Sequence, residues 1–425
     1  MRRSFFLCAL ATIGPVALAA QATPTPKRDS AARADSVSRA DSIALVRELE
    51  QMQSAGAPDT TGSRGTSQQS ASNPRLLPDI SVVGDFIADA SPRGSTQEDG
   101  TRLGVRELEV AFQAAVDPYF RGDVFLGISD EEGIAIEQAY LTATALPAQL
   151  EARLGRFLMP FGKQNTTHRH DLHAIEYPYV IQSFFGPEGL KGTGIYLSRV
   201  FAPFGFYQEV IATAVDRFGE RDESLVTREP ANRKLGGLGY SARLRNYFDL
   251  SQAANVEVSF SGITGKREQP MLELPSDDPD GEPLNGYNQR QSVVAVDVTY
   301  RWRPLQQGLY KSFILQGELM QQRNPDVTIP ELLGPTGDRV GGYAFARYQI
   351  GRRSFLGARY DFVDAESSAD GNTTAASGYY EFFPSEFSKL VAGYERYMAG
   401  GGAKGINRLI LQAAFSLGPH KPHPF

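Results

Sequence analysis

"ELEVAFQAAV", residues 107–116, sets Leu108, Val110, Phe112, Ala114 and Val116 on one side of an extended chain and Glu107, Glu109 and Gln113 on the other. Alternation of this strictness marks a half-buried β-strand. "VVAVDVTYRW" at 293–302 repeats it, with Val294, Val296, Val298, Tyr300 and Trp302 against Asp297, Thr299 and Arg301. In "RLILQAAFSL" at 408–417, Leu409, Leu411, Ala413, Phe415 and Leu417 alternate with Arg408, Gln412 and Ser416. Segments of about ten residues are long enough to cross a bilayer when tilted. The pattern recurs from starts near residues 79, 104, 119, 133, 149, 193, 204, 236, 255, 291, 311, 339, 353, 374, 388 and 406.

The connections alternate in length. Short ones include "DP" at 117, "ALPAQ" at 145, "GRRS" at 351 and "FPSEF" at 383. Long ones, such as 217–234 and 266–289, are polar and rich in Gly, Pro and Asp. Short periplasmic turns opposite long outer loops are the pattern of an outer-membrane barrel, and closure removes the edges that so many strands would otherwise expose. The expected fold is therefore all-β, a transmembrane antiparallel barrel of about 16 strands over residues 79–418.

The flanks agree with export. Residues 1–22, "MRRSFFLCALATIGPVALAAQA", read as a cleaved signal peptide: two arginines, an apolar run, then small residues. The one cysteine, Cys8, lies inside that run, so disulfides, thiolate metal sites and thiol nucleophiles are not expected in the mature chain. Residues 23–56 are expected to form a periplasmic helix, with Val37, Ala40, Ile43, Val46 and Leu49 as a possible oligomerising stripe; a solvated helix is the competing reading. Residues 57–78 read as a flexible linker and 419–425 as a periplasmic tail. A net charge of −6 does not point to nucleic acid, and 18 Tyr, 25 Phe and 42 Gly in a chain that is polar on average suit a barrel wetted on one face.

Three of the five histidines fall in "THRHDLH", 167–173, inside the longest connection, which is the third outer loop. Its neighbours "FLMPFG" and "AIEYPYVIQSFFGPEG" are too apolar for water; Phe157, Phe161, Tyr177, Tyr179, Phe184 and Phe185 need a wall to pack on. A barrel this wide cannot fill its lumen with wall side chains alone. The loop is accordingly expected to fold inward, with Lys163, His168, Arg169, His170, Asp171, His173 and Glu176 at the constriction and the histidines titrating near pH 6.5. His168, His170 and His173 could hold zinc with one position open, but no HExxH spacing accompanies them, and a polar pore lining is the competing reading. The apolar parity faces lipid, which places Arg121, Arg153, Arg243, Arg245, Arg301, Arg347, Arg359 and Arg408 on the lumen wall, interleaved with carboxylates of nearly equal number. No GxSxG is present and the internal histidines share one loop, so no enzyme and no cofactor is expected.

The run "ELEVAFQAAVDPYFRGDVFLGI", followed by "IEQAYL" and "LEARLGRFLMPFGKQN", resembles the phosphate-selective porin O/P type of outer-membrane channel, the "GRF…PFG" element from Gly155 to Gly162 carrying most of the likeness. The resemblance implies a passive, often trimeric channel for small anions or other small hydrophilic solutes, with outer-membrane lipid as its surroundings. Some relatives carry an N-terminal coiled coil, and some histidine-bearing ones are labelled zinc-regulated outer-membrane receptors. The alternative it leaves open is a receptor that binds a metal or other ligand at the loop histidines.

Overall fold

A computed structural model of the protein describes residues 78–91, 103–129, 133–216, 235–270, 286–323, 338–365, 371–400, 402 and 404–418. The expected signal peptide, the expected N-terminal helix and most of the expected linker, with the C-terminal residues bearing His420 and His423, lie outside the described residues. The strands are β1 (Asp79–Asp89), β2 (Leu103–Ala115), β3 (Phe120–Ser129), β4 (Gly133–Ala143), β5 (Leu150–Leu158), β6 (Lys191–Phe201), β7 (Tyr207–Val215) and β8 (Gly239–Ser251). They continue with β9 (Ala254–Pro270), β10 (Gly286–Trp302), β11 (Phe313–Arg323), β12 (Arg339–Gly351), β13 (Ser354–Val363), β14 (Thr373–Ser385), β15 (Ser388–Met398) and β16 (Ile406–Leu417). A helix of seven residues, α1 (Tyr179–Phe185), lies between β5 and β6.

Every strand pairs antiparallel with its sequence neighbours, and β1 pairs with β16, from Val82 opposite Leu417 to Asp89 opposite Ile410. The sheet is thus a closed barrel of 16 strands with no free edge. Its two faces are the reverse of a water-soluble protein's. Leu154, Leu197, Phe260, Leu315, Leu356 and Leu411 stand exposed on the outside, whereas Asp85, Glu109, Arg243, Asp297, Asp361 and Glu381 on the other parity are buried. Apolar outside and polar inside is the arrangement a lipid solvent selects. Among the described residues no helix is long and apolar enough to cross a membrane.

Two details differ from the sequence-based expectation. β10 begins at Gly286 rather than near 291, because Lys266–Pro270 pairs with Gly286–Arg290 and extends the hairpin. Beyond the bilayer a ladder needs only backbone partners, so pairing continues where apolar alternation has stopped. The connection between β3 and β4, on the long-loop side, spans only 130–132, so the alternation of loop lengths is not regular.

Candidate permeation site and the inward loop

The connection between β5 and β6, residues 159–190, crosses the inside of the barrel. Lys163 reaches Glu257 on β9 at 2.9 Å, His168 reaches Glu109 on β2 at 2.6 Å, and Tyr179 donates from its backbone N–H to Asp361 on β13 at 3.1 Å and from its hydroxyl to Glu395 on β15 at 2.6 Å. Strands on opposite sides of a closed sheet can meet one loop only through the lumen. The apolar residues that the sequence left without a surface find it there. Phe157, Phe161, Val180, Ile181, Phe184 and Phe185 are at most 1 % exposed and pack with Tyr196, Ile263, Met320, Tyr343 and Phe345 of the wall.

The "GRFLMPFGKQN" run is the base of this loop, and its glycines have a geometric reason. Gly155 has φ 137°, and a Cβ there would sit 2.1 Å from the Ala139 carbonyl oxygen on β4. Gly162 has φ 59°, and a Cβ would overlap the Glu318 carboxylate. Asn165, which sequence reasoning missed, closes the base. Its amide donates to Met159 O at 2.8 Å and Leu190 O at 2.9 Å and accepts from Leu190 N–H at 2.6 Å. Its place at the end of the motif was the only available signal. Asn165→Leu leaves the Leu190 N–H buried without its partner, at about 1–3 kcal/mol, while Met159 O and Leu190 O keep Phe161 N–H and Met159 N–H. The expected result is faster proteolytic cleavage between 159 and 190 in an otherwise folded barrel; unchanged cleavage kinetics would remove Asn165 from this role.

The histidines separate. His168 Nδ1 lies 2.6 Å from Glu109 Oε2 and its Nε2 lies 2.8 Å from the Gln138 amide nitrogen, with Phe125 beside the ring. His170 is buried at 2 % exposure, with Nδ1 3.9 Å from the same Glu109 oxygen and Nε2 3.4 Å from Asp171 Oδ1. His173 is elsewhere, stacked on Phe345 with Nδ1 3.9 Å from Glu381. The expected convergence of three histidines is therefore corrected to two with Glu109, because the turn Arg169–Asp171 sends His173 to the β12–β14 wall. The expected common titration near pH 6.5 is corrected as well. Burial opposes a charge on His168, but the Glu109 carboxylate outweighs it and lifts the pKa to about 9. Burial pulls His170 down, against the pull of Asp171 and Glu109. Of the other residues expected at the constriction, Arg169 pairs with Glu176 at 3.1 Å, Glu176 also takes Arg106 at 3.0 Å, and Asp171 stays beside His170.

The eight arginines all stand on the inward parity, in two groups. Arg243, Arg347, Arg359 and Arg408 have side chains 3–20 % exposed and hold the wall and loop together. Arg347 grips Glu381 with two bonds of 2.9 Å, Arg359 donates to Glu176 O at 2.6 Å, and Arg408 to the Tyr179 hydroxyl at 2.5 Å. Buried cations that sequence reasoning missed act alike: Lys389 donates to His170 O and Leu172 O, Arg106 to Ile175 O, and Arg339 to Ser183.

Arg121, Arg153, Arg245 and Arg301 instead keep 31–39 % of their side chains exposed. They lie on β3, β5, β8 and β10, with Lys163 of the loop facing them. Their carboxylate partners sit deeper: Asp123 at 6 %, Glu209 at 10 % and Glu257 at 4 %, with Glu151 at 41 % the exception. Glu257 alone accepts from Lys163, Arg245 and Arg301. The water-facing atoms of this arc are thus predominantly cationic although the charges nearly cancel in number. One cleft borders the loop, lined by Arg106, Glu107, Glu137, His168, Arg169 and Lys191, and another lies at the β7–β9 wall, lined by Tyr207, Arg245, Tyr247 and Glu257.

This is the barrel architecture of outer-membrane channels. The outer membrane channel DcaP of Acinetobacter baumannii superposes with a TM-score of 0.52 at 12% identity, covering 80% of this chain and 97% of DcaP. OmpT of Vibrio cholerae, solved in a trimer form, does so at 0.50 and 10% identity, covering 80% of this chain and 100% of its own. In sequence, the chain is 28% identical over 340 residues to an uncharacterized protein of Aquifex aeolicus (strain VF5), covering 75% of this chain and 69% of that one. No protein-family model matches the chain.

Proposed function

We propose that this protein is an outer-membrane porin, a passive diffusion channel for small hydrophilic solutes that favours anions. The observation that carries the reading is the division of the lumen. The inward loop packs across the lumen on the wall from Tyr196 and Ile263 round to Phe345 and Val391, yet Arg121, Arg153, Arg245 and Arg301 on the arc from β3 to β10 keep their heads in contact with water. Passage is accordingly eccentric, between the loop and that arc, with Lys163 at its loop side. Guanidinium heads in front of sunken carboxylates present a positive field to a solute, and a low-dielectric wall focuses it. The finer resemblance, to phosphate-selective channels, rests on the loop base from Gly155 to Asn165 and suits this wall. Homotrimeric assembly is part of the same reading, supported by the trimer form of the OmpT likeness.

Purified protein reconstituted in a planar bilayer should give stepwise, ohmic conductance, and a salt gradient should give a reversal potential of the sign set by anion flow. An inserted barrel without steady conductance would reject the channel and favour the receptor alternative. A cation-signed potential would reject the anion preference alone. Lys163→Met, which withdraws one of the four cations around Glu257, should lower anion preference about two- to threefold without abolishing conductance.

A further inference from the structure

Glu109, His168 and His170 form a compact set where the loop meets β2 to β4. One ligand atom from each lies within 4.8 Å of the others. We infer that these three side chains form a binding site for a divalent transition metal of the zinc class, which fastens the inward loop to β2.

The ligand chemistry selects the metal. Two imidazoles and a carboxylate suit zinc and its first-row neighbours, whereas calcium and magnesium require oxygen ligands. Bonds of about 2.0–2.1 Å in tetrahedral geometry put neighbouring ligand atoms about 3.3 Å apart. The His168–Glu109 separation of 2.6 Å must open slightly, and the His170–Glu109 separation of 3.9 Å must close slightly. Each change is smaller than about 1 Å, within reach of side-chain rotation. Metal on His168 Nδ1 leaves an N–H on Nε2, so the Gln138 amide turns its oxygen toward it and releases Leu158 N–H.

The surroundings fit a metal in three further ways. Asp171 Oδ1 lies 3.4 Å from His170 Nε2, close enough to tighten onto that nitrogen and orient the imidazole once Nδ1 is ligated. The backbone between the two histidines is fixed, since Asp171 N–H donates to His168 O at 2.9 Å and Lys389 holds His170 O at 2.6 Å. His168 lines the cleft it shares with Arg106, Glu107 and Lys191, which brings solvent to the edge of the site. Neighbouring cations are already committed: Arg169 pairs with Glu176, and Arg106 with Glu176 and Asp85.

The test measures binding, so it succeeds or fails independently of whether the channel conducts. Full-length protein in detergent, carrying His420→Gln and His423→Gln to remove the two imidazoles of the tail, is stripped with chelator and titrated with Zn²⁺ by calorimetry. One zinc per chain is expected, and cobalt in its place should give the intense visible absorption of a tetrahedral site. Asp171→Asn should weaken binding about 10–100-fold, and Glu109→Gln or His170→Gln by more than that. His173→Gln should leave it unchanged. Heat-modifiable gel mobility identifies folded barrels, and His170→Gln serves should Glu109→Gln fail to fold. No stoichiometric binding, equal affinity in folded His170→Gln, or as large a loss in His173→Gln as in His170→Gln would each overturn the site.

Discussion

Replacing Phe184 and Phe185 together by alanine should raise single-channel conductance several-fold while the sixteen strands stay paired. Both rings are fully buried at the C-terminal end of α1, Phe185 edge-on to Phe161 at 5.2 Å and Phe184 beneath the Arg339 guanidinium. Each Phe→Ala in such a site costs about 3–5 kcal/mol, and because the two rings touch, their losses are not additive. The anchors left near α1 are those of Tyr179 with Asp361 and Glu395 and of Ser183 with Arg339, worth about 1.5–3 kcal/mol each, so the helix loosens on its wall while Lys163 and His168 still tether the loop. The barrel does not share this loss, because its stability resides in ladders that the loop does not complete. Bilayer recordings of the double variant, with protease sensitivity between 159 and 190 as a second readout, check the prediction. Unchanged conductance in a variant whose loop has become cleavable would show that passage does not run beside the loop.

Converting Arg121, Arg153, Arg245 and Arg301 to glutamine should reduce the anion-to-cation permeability ratio by about tenfold or more, since fields focused in a charged cleft change local ion concentration by 10–10³. Glutamine keeps hydrogen-bonding capacity and much of the length, so the change isolates charge. Glu151, Glu209 and Asp123 then lose their covering cations, Glu257 keeps only Lys163 and the buried Arg243, and the wall becomes acidic. The matching control is Arg347→Gln. That residue is buried against Glu381, and breaking a buried pair costs about 3–5 kcal/mol, so the control should lower thermal stability and leave ion preference where it was. Reversal potentials across a salt gradient, taken at low and high ionic strength, measure both. A quadruple variant that keeps the wild-type ratio would place selectivity away from this arc.

The sequence by itself determined the barrel. Lipid on one side and water on the other impose a period of two on every strand, and that signal is local. It therefore located the starts of β1, β4, β12, β15 and β16 at 79, 133, 339, 388 and 406, where they stand. It also separated inward from outward residues, because parity along one strand needs no knowledge of its neighbours. It lost the outer end of the β9–β10 hairpin, where water replaces lipid and the alternation no longer has a cause. What only the tertiary structure decided is how the lumen is divided. Parity equates Arg301 with Arg347, yet one remains wet and the other is buried, because Phe355, Phe383 and Glu381 enclose Arg347, whereas the apolar cluster under the loop takes in Val293 and Ala295 of β10 but not Arg301. Spacing likewise groups His168, His170 and His173, but Glu109, Asn165, Lys389 and Glu381 set the loop's path, and their contacts join residues far apart in the chain. Closure of the sheet brings such residues together, and no window of sequence contains it.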